Sequence, residues 1–512
     1  MERRITPGLA GIPAEVDVVV VGLGITGAGV ALDAATRGLT VLAVDAHDLA
    51  FGTSRWSSKL VHGGLRYLAQ GQLGIAHESA VERGILMGVT APHLVHPLPM
   101  LTPVNDAMPR SRTAFTWGGL QAGDVLRRSA HTSARTLPRP RRLNATEALS
   151  LAPALRADTL RGGLLAWDGQ LEDDARLVVT VARTAASYGA HVRTRARVTS
   201  ATGTAVTLRD ELTGASYDVR ARAVVNATGV WAGDLDAQVR LRPSRGTHLV
   251  LRGSALPHTR VAVMVPIPGT SARFAMVLPQ PDGTIYVGLT DEPVTGPVPD
   301  VPQPSEGEID FLLDVVASAF TTPPTRADVV GAFAGLRPLL EVAGADATAD
   351  LSRRHAILTS STGVTTVVGG KLTTYRRMAQ DTLDALAGRL PHAGPCRTAS
   401  LPLLGAAPPD ELRRSTAPAR LVRRFGTDAD LVLATAREAT GLVDHELLDP
   451  VSAGVPVTLA ELVFAVTHEG AHDVDDLLDR RTRVGLVAED RAAAEPLARR
   501  AMQLAAGAVT GT

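Results

Sequence analysis

The sequence predicts an α/β protein of three parts: a largely parallel sheet flanked by helices, an antiparallel sheet, and a helical C-terminal domain. Three observations predict this fold. A strand, a glycine-rich turn, a helix and a second strand open the 512-residue chain. Residues from about 240 to 340 alternate apolar and polar side chains between proline-rich turns, as in GTHLVLRG and TIYVGLTD. After residue 395 a proline-rich stretch gives way to charged amphipathic runs such as EDRAAAEPLARRAMQLAAGA.

A complete βαβ unit opens the chain. It comprises an apolar strand at 16–21, the turn Gly22-x-Gly24-x-x-Gly27, a helix, and a strand at 40–44 that ends in Asp45. In such a unit Gly22 permits the tight turn, Gly24 lets the backbone approach a pyrophosphate, and Gly27 allows close helix packing. The pyrophosphate then lies at the positive helix N-terminus, and Asp45 can accept hydrogen bonds from a ribose diol. These features predict a Rossmann-like domain that binds a dinucleotide, in preference to a structural glycine turn.

Two later segments repeat this strand-then-turn pattern. In one, residues 224–225 lead into Ala227-Thr228-Gly229; in the other, a strand meets Gly369-Gly370 before a long helix. A domain that binds a nicotinamide dinucleotide does not need these two later segments. A flavin dinucleotide is larger and is wrapped by segments far apart in sequence, so it accounts for all three glycine-containing turns. The alternating stretches HVRTRARVTSATG and GASYDVRARAVV predict a small meander inserted between them. We therefore predict a flavin cofactor.

The predicted domain limits follow from these segments. The cofactor-binding domain is discontinuous and takes residues 1–75, 150–240 and 355–393. The second sheet, which is the predicted substrate face, takes residues 76–149 and 241–354. The helical C-terminal domain takes residues 394–512. At this length two or three structural units are expected, because single cores rarely grow so large.

Composition excludes several classes of function. Basic and acidic side chains number 52 each, so no whole-protein field favours nucleic acid. A single cysteine, Cys396, rules out an internal disulfide framework, and the N-terminus MERRITPGLAG lacks an apolar segment of signal-peptide length. No window approaches roughly eighteen consecutive apolar residues, so we predict no membrane-spanning helix, although the protein could lie on a membrane. We expect a cytoplasmic protein.

Long motifs carry a resemblance to a known family. They are GLGITGAGVALDAATRGL, SSKLVHGGLRYL, DARLV, VNATGVW, RGTHLV, VGLTD, AGLRPLL, LSRRHAI and VVGGKLTTYRRMA, in the family's order and at similar spacing. The chain resembles the FAD-dependent glycerol-3-phosphate dehydrogenases, which are respiratory and membrane-peripheral, rather than the soluble NAD-linked ones. The resemblance runs nearly end to end. It implies a FAD-binding Rossmann-like domain of the glutathione-reductase and D-amino-acid-oxidase type, with an antiparallel-sheet substrate domain and an all-α C-terminal domain.

The resemblance also implies which residues bind. For FAD they are Gly22, Gly24, Gly27, Asp45, Thr53, Ser57, Ser58, Lys59, Leu60, His62, Gly63, Gly64, Val198, Ala227, Thr228, Gly229, Gly370, Leu372 and Thr373. For the substrate they are Arg66, Tyr67, His248, Arg337, Arg353 and Lys371. Such a set suits a small phosphate, which needs several convergent cations. No metal site is implied.

The two lysines of the chain both lie in these motifs. Among 52 basic side chains, Lys59 and Lys371 are the only ones that are not arginine. A compact ammonium fits where the broad guanidinium plane does not. We therefore expect Lys59 to serve the FAD side and Lys371 the substrate phosphate.

The implied reaction is the oxidation of sn-glycerol 3-phosphate to dihydroxyacetone phosphate, with electrons passing from FAD to a membrane quinone. Oxidising a secondary alcohol requires a base for the hydroxyl proton while hydride leaves carbon for the flavin. A histidine suits that role, because its pKa lies near neutrality. His62, in the HGG turn, is the first candidate and His248 the second; either could instead be a structural hydrogen-bonding residue. Arg337 completes the predicted catalytic set.

Three rival functions stay open. A glycerol-3-phosphate oxidase would use the same substrate but pass electrons to oxygen. An amine or amino-acid oxidase of the same flavin superfamily would need no phosphate site, and the cluster of Arg66, Arg337, Arg353 and Lys371 argues against it. A flavin-bearing scaffold or sensor that does not turn over would not need its acid-base and cation residues. All of these candidate positions are filled in this sequence, which argues against that function. A homodimer is compatible with the resemblance, which does not fix the oligomeric state.

The sequence departs from the common family pattern in three places. The usual triple glycine is Gly22-Leu23-Gly24, the ribose acid is Asp45 where Glu is frequent, and Arg354 follows Arg353 where an acid commonly stands. None of these changes removes a required group. The last one leaves two candidates for the phosphate, and we favour Arg353 by register.

Two further motifs can be interpreted either as functional sites or as ordinary structural features. His468-Glu469-x-x-His472 formally matches the HExxH zinc pattern, but Gly470 weakens the helix and no third ligand follows, so a solvated or capping role is expected. Residues 110–142 hold eight arginines and one acid, interleaved with Phe115 and Trp117. This segment is either a solvated arginine-rich loop or a site of attachment to anionic lipid. Such an attachment would hold the protein on the cytoplasmic face of the membrane, close to the quinone pool.

Overall fold

The structure is a computed structural model that describes residues 4–69, 71–106, 108–270, 273–341 and 355–510. Its strands are β1 (Thr6–Pro7), β2 (Glu15–Val21), β3 (Val41–Val44), β4 (Leu60–Val61), β5 (Val95–Val104), β6 (Arg141–Leu143), β7 (Gly162–Leu171), β8 (His191–Thr194), β9 (Ala196–Ala201), β10 (Ala205–Asp210), β11 (Ser216–Asn226), β12 (Ser244–Arg252), β13 (Ala262–Pro266), β14 (Phe274–Pro279), β15 (Thr284–Gly288), β16 (Glu292–Pro293), β17 (Val329–Arg337), β18 (Ala356–Thr359), β19 (Thr365–Val368), β20 (Pro450–Ser452) and β21 (Val455–Thr458).

The helices follow the same chain order. They are α1 (Ile25–Thr36), α2 (Leu65–Ala69), α3 (Leu73–Ile85), α4 (Arg110–Ser129), α5 (Ala145–Leu151), α6 (Asp174–Ser187), α7 (Ala232–Leu235), α8 (Glu306–Ala317), α9 (Tyr375–Ala385), α10 (Pro409–Leu412), α11 (Ala419–Phe425), α12 (Ala429–Thr440), α13 (Asp444–Leu448), α14 (Leu459–His468) and α15 (Ala488–Thr510). α4 spans most of the arginine-rich segment, so the loop interpretation of that segment is wrong.

The first sheet confirms the predicted βαβ unit and meander. Its strand order is β1-β8-β3-β2-β11-β10-β9, with β19 paired to β11 and β18 to β19. β3, β2, β11 and β19 run parallel, and β9, β10 and β11 form the antiparallel meander. The side chains of β2 from Val18 to Val20 are fully buried, because both faces of the sheet are covered. Val18 and Val20 lie in one apolar cluster with residues of α1, and Val19 lies in another with Leu208 of the meander.

Helix α1 packs closely on this sheet because it is rich in small residues. Any side chain at Gly27 would collide with the carbonyl oxygen of Gly22, and one at Gly29 would meet the ring of Tyr375 in α9 at 2.7 Å. The packing role predicted for Gly27 is therefore what the geometry requires. This close approach leaves the first turn of α1 at the carboxyl end of the sheet.

The second sheet is largely antiparallel and has the strand order β16-β12-β15-β14-β13-β5-β7-β4, with β17 paired to β12 and β6 to β7. The antiparallel sheet is as predicted, but it also includes β4 and β7, which pair with each other. The domain limits predicted at residues 75 and 150 assign these two strands to the cofactor domain. The structure instead places β4, β5, β6 and β7, all before residue 172, in the second sheet.

The C-terminal domain is helical, as predicted, and adds a hairpin of β20 and β21. Its core buries Val432, Leu462, Phe464 and Leu477 fully. Across the ranges that the structure describes, no helix is both long and apolar enough to cross a membrane.

Candidate active site and cofactor cleft

A cavity of about 750 Å³ is lined by residues from both large sheets. It brings together most of the predicted site residues, which are Gly22, Gly24, Asp45, Thr53, Ser57, Ser58, Leu60, His62, Val198, Ala227, Thr228, Gly229, His248, Arg337, Gly370, Lys371, Leu372 and Thr373. Three of the sequence segments that point to a flavin, far apart in the chain, therefore meet around one space. A cavity of this size suits a large cofactor with a small substrate beside it.

One part of the cavity is built to receive a pyrophosphate. Gly22 has a φ of +95°, and a Cβ there would lie 2.7 Å from the carbonyl oxygen of Ala227. Only glycine allows this turn, which carries the backbone amides at the start of α1 to the cavity wall. Ser54, a residue that the sequence analysis missed, accepts a hydrogen bond from the Ile25 amide at 2.9 Å. Its hydroxyl fixes the first turn of the helix at the place where an anion would bind.

Asp45 lies at the end of β3, as the βαβ pattern predicts. Its carboxylate accepts hydrogen bonds from the amides of Leu23 at 2.7 Å and His47 at 2.9 Å. Burial raises the pKa of Asp45 to about 6 in spite of these two donors. Each carboxylate oxygen retains a further lone pair, so the group can still accept from a ribose diol. The glycine turn, the helix N-terminus and this acid together fit a dinucleotide.

The raised pKa of Asp45 predicts pH-dependent FAD binding. Hydroxyl donors favour the ionised carboxylate, so the pKa of Asp45 should fall in the complex and binding should release a proton near pH 6. The affinity for FAD should therefore reach its maximum well above pH 6. It should decline as the pH falls through 6, by up to about tenfold per pH unit. Titrations with FAD between pH 5 and 8 measure this, with Asp45→Asn as the control whose affinity should be weaker but flat. An equal slope in that variant would contradict the assignment.

Lys59 does not serve the cavity as predicted. Its side chain is buried, and the ammonium donates to the carboxylate of Asp174 at 2.9 Å and to the carbonyl oxygen of Arg55 at 2.7 Å. The same Asp174 oxygen accepts from the amide and hydroxyl of Ser57, at 2.9 and 2.7 Å. The ammonium is therefore an internal ion-pair partner of Asp174, which in turn holds Ser57 on the cavity wall.

His62 is held by a carboxylate that the sequence analysis missed. Its Nδ1 lies 3.0 Å from Oδ2 of Asp168, whose other oxygen accepts from Arg83 at 2.7 Å. Burial alone would raise the pKa of Asp168, but the charge of Arg83 and the hydrogen bond from His62 lower it below its usual value. An ionised Asp168 accepts a hydrogen bond from Nδ1–H, so in the neutral ring Nε2 of His62 carries the lone pair. This arrangement orients a base.

His248 has a different setting from His62. The ring is 1% exposed, stacks on Phe333 with centroids 4.8 Å apart, and places Nε2 2.8 Å from the hydroxyl of Ser58. Burial lowers the pKa of His248 to about 3, and the charges of Lys59 and Arg337 act in the same direction. The ring is therefore neutral at pH 7 and lies on the cavity wall as a hydrogen-bonding group.

Two predicted substrate cations line the cavity. The Lys371 ammonium donates to the Ser79 hydroxyl at 3.0 Å and lies 3.9 Å from the ring centroid of Tyr67. The Arg337 guanidinium donates to the Ser244 hydroxyl at 3.1 Å and to Asp291 at 3.2 Å, and is 19% exposed. Both cations are fixed by neighbours while they face the cavity. Cations held in this way can receive an anionic substrate without first being ordered.

Three further predicted residues, Gly63, Gly64 and Tyr67, lie outside the cavity lining. Gly63 and Gly64 make room for Arg83 and for the start of α3, where any side chain would collide. Tyr67 is buried beneath Lys371 and meets the cavity through it. Arg66 lies in the short helix α2. The choice between Arg353 and Arg354 lies outside the described residues and stays a prediction.

The HExxH pattern is not a metal site. Glu469 is fully buried and binds the Arg176 guanidinium with both oxygens, and His468 stacks on Phe464 with centroids 4.5 Å apart. The expected capping or solvated role is also wrong, because the acid is a buried ion-pair partner. Among the residues that the structure describes, no group of three or more His, Cys, Asp and Glu side chains could hold a metal ion.

Comparison with known proteins defines the class of this site. Residues 17–376 match the family described as FAD dependent oxidoreductase, and residues 396–509 match the C-terminal domain of alpha-glycerophosphate oxidase. The cavity that receives a dinucleotide therefore belongs to a FAD-dependent oxidoreductase, and FAD is the cofactor.

Full-length relatives narrow this class to one family. Glycerol-3-phosphate dehydrogenase 1 of Mycobacterium tuberculosis is 55% identical over 482 residues, covering 93% of this chain and 92% of the relative. A mitochondrial glycerol-3-phosphate dehydrogenase of Arabidopsis thaliana is 34% identical over 93% of this chain and 80% of its own length. The Bacillus halodurans glycerol-3-phosphate dehydrogenase complexed with FAD superposes with a TM-score of 0.71 at 28% identity, covering 97% of this chain and 94% of that one. The chain belongs to the FAD-dependent glycerol-3-phosphate dehydrogenase family, as its motifs predict.

Proposed function

We propose that the protein oxidises sn-glycerol 3-phosphate to dihydroxyacetone phosphate and passes the electrons to a membrane quinone. The observation that carries this proposal is the pairing of His62 with Asp168 on the same cavity as two cations, Lys371 and Arg337. A base and a phosphate site in one cleft are what a phosphorylated secondary alcohol requires. The names of the full-length relatives point to the same substrate.

The His62–Asp168 pair supplies the proton transfer. Nε2 of His62 takes the proton of the C2 hydroxyl, and the ionised Asp168 stabilises the imidazolium that forms. When bound, FAD supplies the acceptor for the hydride that leaves C2. Arg83 holds Asp168 from the other side at 2.7 Å, which keeps the carboxylate ionised and in place. The base is thus oriented before the substrate arrives.

Lys371 and Arg337 bind the anionic substrate. Both are cationic side chains, which favour a phosphate over an uncharged alcohol such as glycerol. His248 and Ser58 lie on the same wall and offer a neutral hydrogen-bonding surface to the glycerol hydroxyls. An amine or amino-acid oxidase would leave two fixed cations facing a single carboxylate, so these contacts favour the phosphate.

The proposed electron acceptor is a quinone in the membrane. Support for a membrane quinone comes from a surface made by α2, α3 and α4, which pack together. This surface exposes the apolar side chains of Leu65, Leu73, Phe115 and Val125 by 37%, 64%, 59% and 54%. Exposed arginines of the same region are Arg110, Arg128, Arg135, Arg139, Arg141 and Arg142, whereas Arg127 is buried on Asp124. Each cation adds about 1 kcal/mol of attraction to an anionic bilayer. We propose peripheral attachment here, on the cytoplasmic face.

Vesicle binding tests this surface. The protein should sediment with vesicles containing phosphatidylglycerol and much less with phosphatidylcholine vesicles, and high salt should release it. Phe115→Ser should weaken binding several-fold, because an exposed ring that enters the interface is lost. Tyr188→Ser removes a ring that is 45% exposed elsewhere and serves as the matched control. Equal binding by the two variants, or no effect of salt, would contradict the attachment.

The second candidate is an oxidase that delivers electrons to oxygen. The match of the C-terminal domain to that of alpha-glycerophosphate oxidase favours it. Reoxidation separates the two acceptors. Protein reduced by glycerol 3-phosphate under anaerobic conditions is mixed with a soluble quinone or with oxygen, and the return of the flavin band is timed. The proposal expects fast return with quinone; fast return with oxygen and stoichiometric peroxide would replace it with the oxidase.

A further inference from the structure

The segment of residues 45–59, here called the cofactor loop, forms a large part of the cavity wall. It runs from the end of β3 to the start of β4 and contains only one short 3₁₀ turn, Thr53–Arg55. Ser54 caps the first turn of α1, and Ser58 binds His248. Because regular structure does not fix this loop, its position depends on side-chain contacts.

Two arginines of the C-terminal domain hold the cofactor loop. Asp48 of the loop is completely buried. Arg481 donates two hydrogen bonds to its carboxylate, from Nη1 to Oδ2 at 2.8 Å and from Nη2 to Oδ1 at 2.9 Å. Nε of Arg480 donates to Oδ2 of the same carboxylate at 2.7 Å. These partners are more than 400 positions away in the sequence. Arg480 and Arg481 are 4% and 1% exposed, so water cannot replace the contacts.

The arginines are themselves fixed, and their segment makes further contacts to the loop. Arg481 donates to the carbonyl oxygen of Glu469 at 2.7 Å, and Arg480 also binds Asp476. The guanidinium of Arg480 lies 5.8 Å from the ring centroid of Phe51, which lines the cavity. A buried bidentate contact of this kind is directional, so it sets the place of the loop as well as holding it.

The far end of the loop has an anchor of its own. Lys59 and Ser57 both bind Asp174 at the start of α6. The loop is therefore attached at one end to the cofactor domain and near the other to the C-terminal domain. The loop also reaches the second sheet through Ser58 and His248, and a longer ion pair from Arg55 to Asp479, at 3.6 Å, adds to its attachment to the C-terminal domain.

We propose that Arg480 and Arg481 are positioning residues for FAD, so that the C-terminal domain controls how tightly the cofactor is held. Arg481 supplies two of the three guanidinium hydrogen bonds to Asp48, so its loss leaves a fully buried carboxylate with only Arg480 as a partner. The loop can recover the lost compensation by moving toward water. That movement takes Thr53, Ser54 and Ser57 away from the cavity. The proposal does not depend on the identity of the substrate.

FAD release from the holoenzyme tests the proposal. Free flavin fluoresces as it leaves the protein after dilution, so the rate of release is measured without preparing apoprotein. Arg481→Met should release FAD at least tenfold faster than the unmodified protein, and Arg481→Lys, which can remake one contact, should lie between the two. Arg252→Met is the matched control, because Arg252 forms a bidentate interdomain pair with Asp490 at 2.8 and 2.6 Å and does not contact the loop. Its release rate should stay within twofold of the unmodified protein.

Thermal unfolding of the same variants separates positioning from stability. A purely structural role would lower the unfolding temperature in both methionine variants and leave FAD release unchanged in both. If Arg481→Met does not fold, Asp48→Asn removes the charge while retaining an acceptor of the same shape, and should also release FAD faster. Release at the unmodified rate in folded Asp48→Asn and Arg481→Lys would overturn the proposal.

Discussion

Replacing His62 with Ala should lower the rate of flavin reduction by glycerol 3-phosphate by about 100-fold or more, because the cavity loses its oriented base. The binding of the substrate should change little, since the cations remain. Asp168→Asn should also lower the rate strongly, because an amide can no longer hold His62 in the tautomer that leaves Nε2 free. Stopped-flow measurement of the flavin absorbance under anaerobic conditions gives both rates.

His248→Ala is the comparison for this prediction. His248 is neutral and bound to Ser58, so its loss should weaken substrate binding more than it slows proton transfer. A larger loss of rate in His248→Ala than in His62→Ala would show that His248, and not His62, is the base. Less than a tenfold loss in both variants would show that neither histidine is the base.

Replacing Lys371 with Met should raise the substrate dissociation constant by about 10-fold to 100-fold, since a charge-assisted hydrogen bond to phosphate is worth about 1.5–3 kcal/mol. Lys371→Arg should recover little of this loss, because a longer, planar guanidinium cannot keep the position of the compact ammonium, 3.9 Å from the ring centroid of Tyr67 and 3.0 Å from the Ser79 hydroxyl. The amplitude of flavin reduction against substrate concentration gives the constant.

Lys59→Arg tests the other lysine. It should destabilise the protein through the buried pair with Asp174 and should not raise the substrate dissociation constant. Near-normal affinity in Lys371→Arg would contradict the steric argument. Because the two lysines occupy similar Gly-Gly motifs, the pair distinguishes a substrate contact from an internal one.

Local patterns in the sequence were sufficient to predict the cofactor side of the site. The turn from Gly22 to Gly27 and the acid Asp45 depend on neighbours within one βαβ unit, so their roles can be inferred from spacing. The meander and the Ala227-Thr228-Gly229 turn were predicted for the same reason. The family motifs added His62, His248 and Lys371, which no local rule would identify.

Long-range partners explain what sequence analysis missed. Asp168 meets His62 across 106 positions, and Asp48 meets Arg481 across 433. The one available signal was an acid within an apolar strand, as for Asp168 in LLAWDGQL, because a buried carboxylate requires a partner. Lys59 was misassigned because its rarity among arginines was taken as evidence of a ligand contact. The predicted domain limits separate β4 and β7 from the second sheet that contains them, because strand patterns do not show which sheet a strand joins.

An anaerobic titration tests the central claim most directly. Purified holoenzyme is titrated with sn-glycerol 3-phosphate while the flavin band is followed, with glycerol as the unphosphorylated control. We predict that one equivalent of glycerol 3-phosphate per FAD bleaches the band and yields one equivalent of dihydroxyacetone phosphate, while glycerol at the same concentration leaves the band intact. A band that persists with glycerol 3-phosphate, or that glycerol bleaches equally well, would contradict the account.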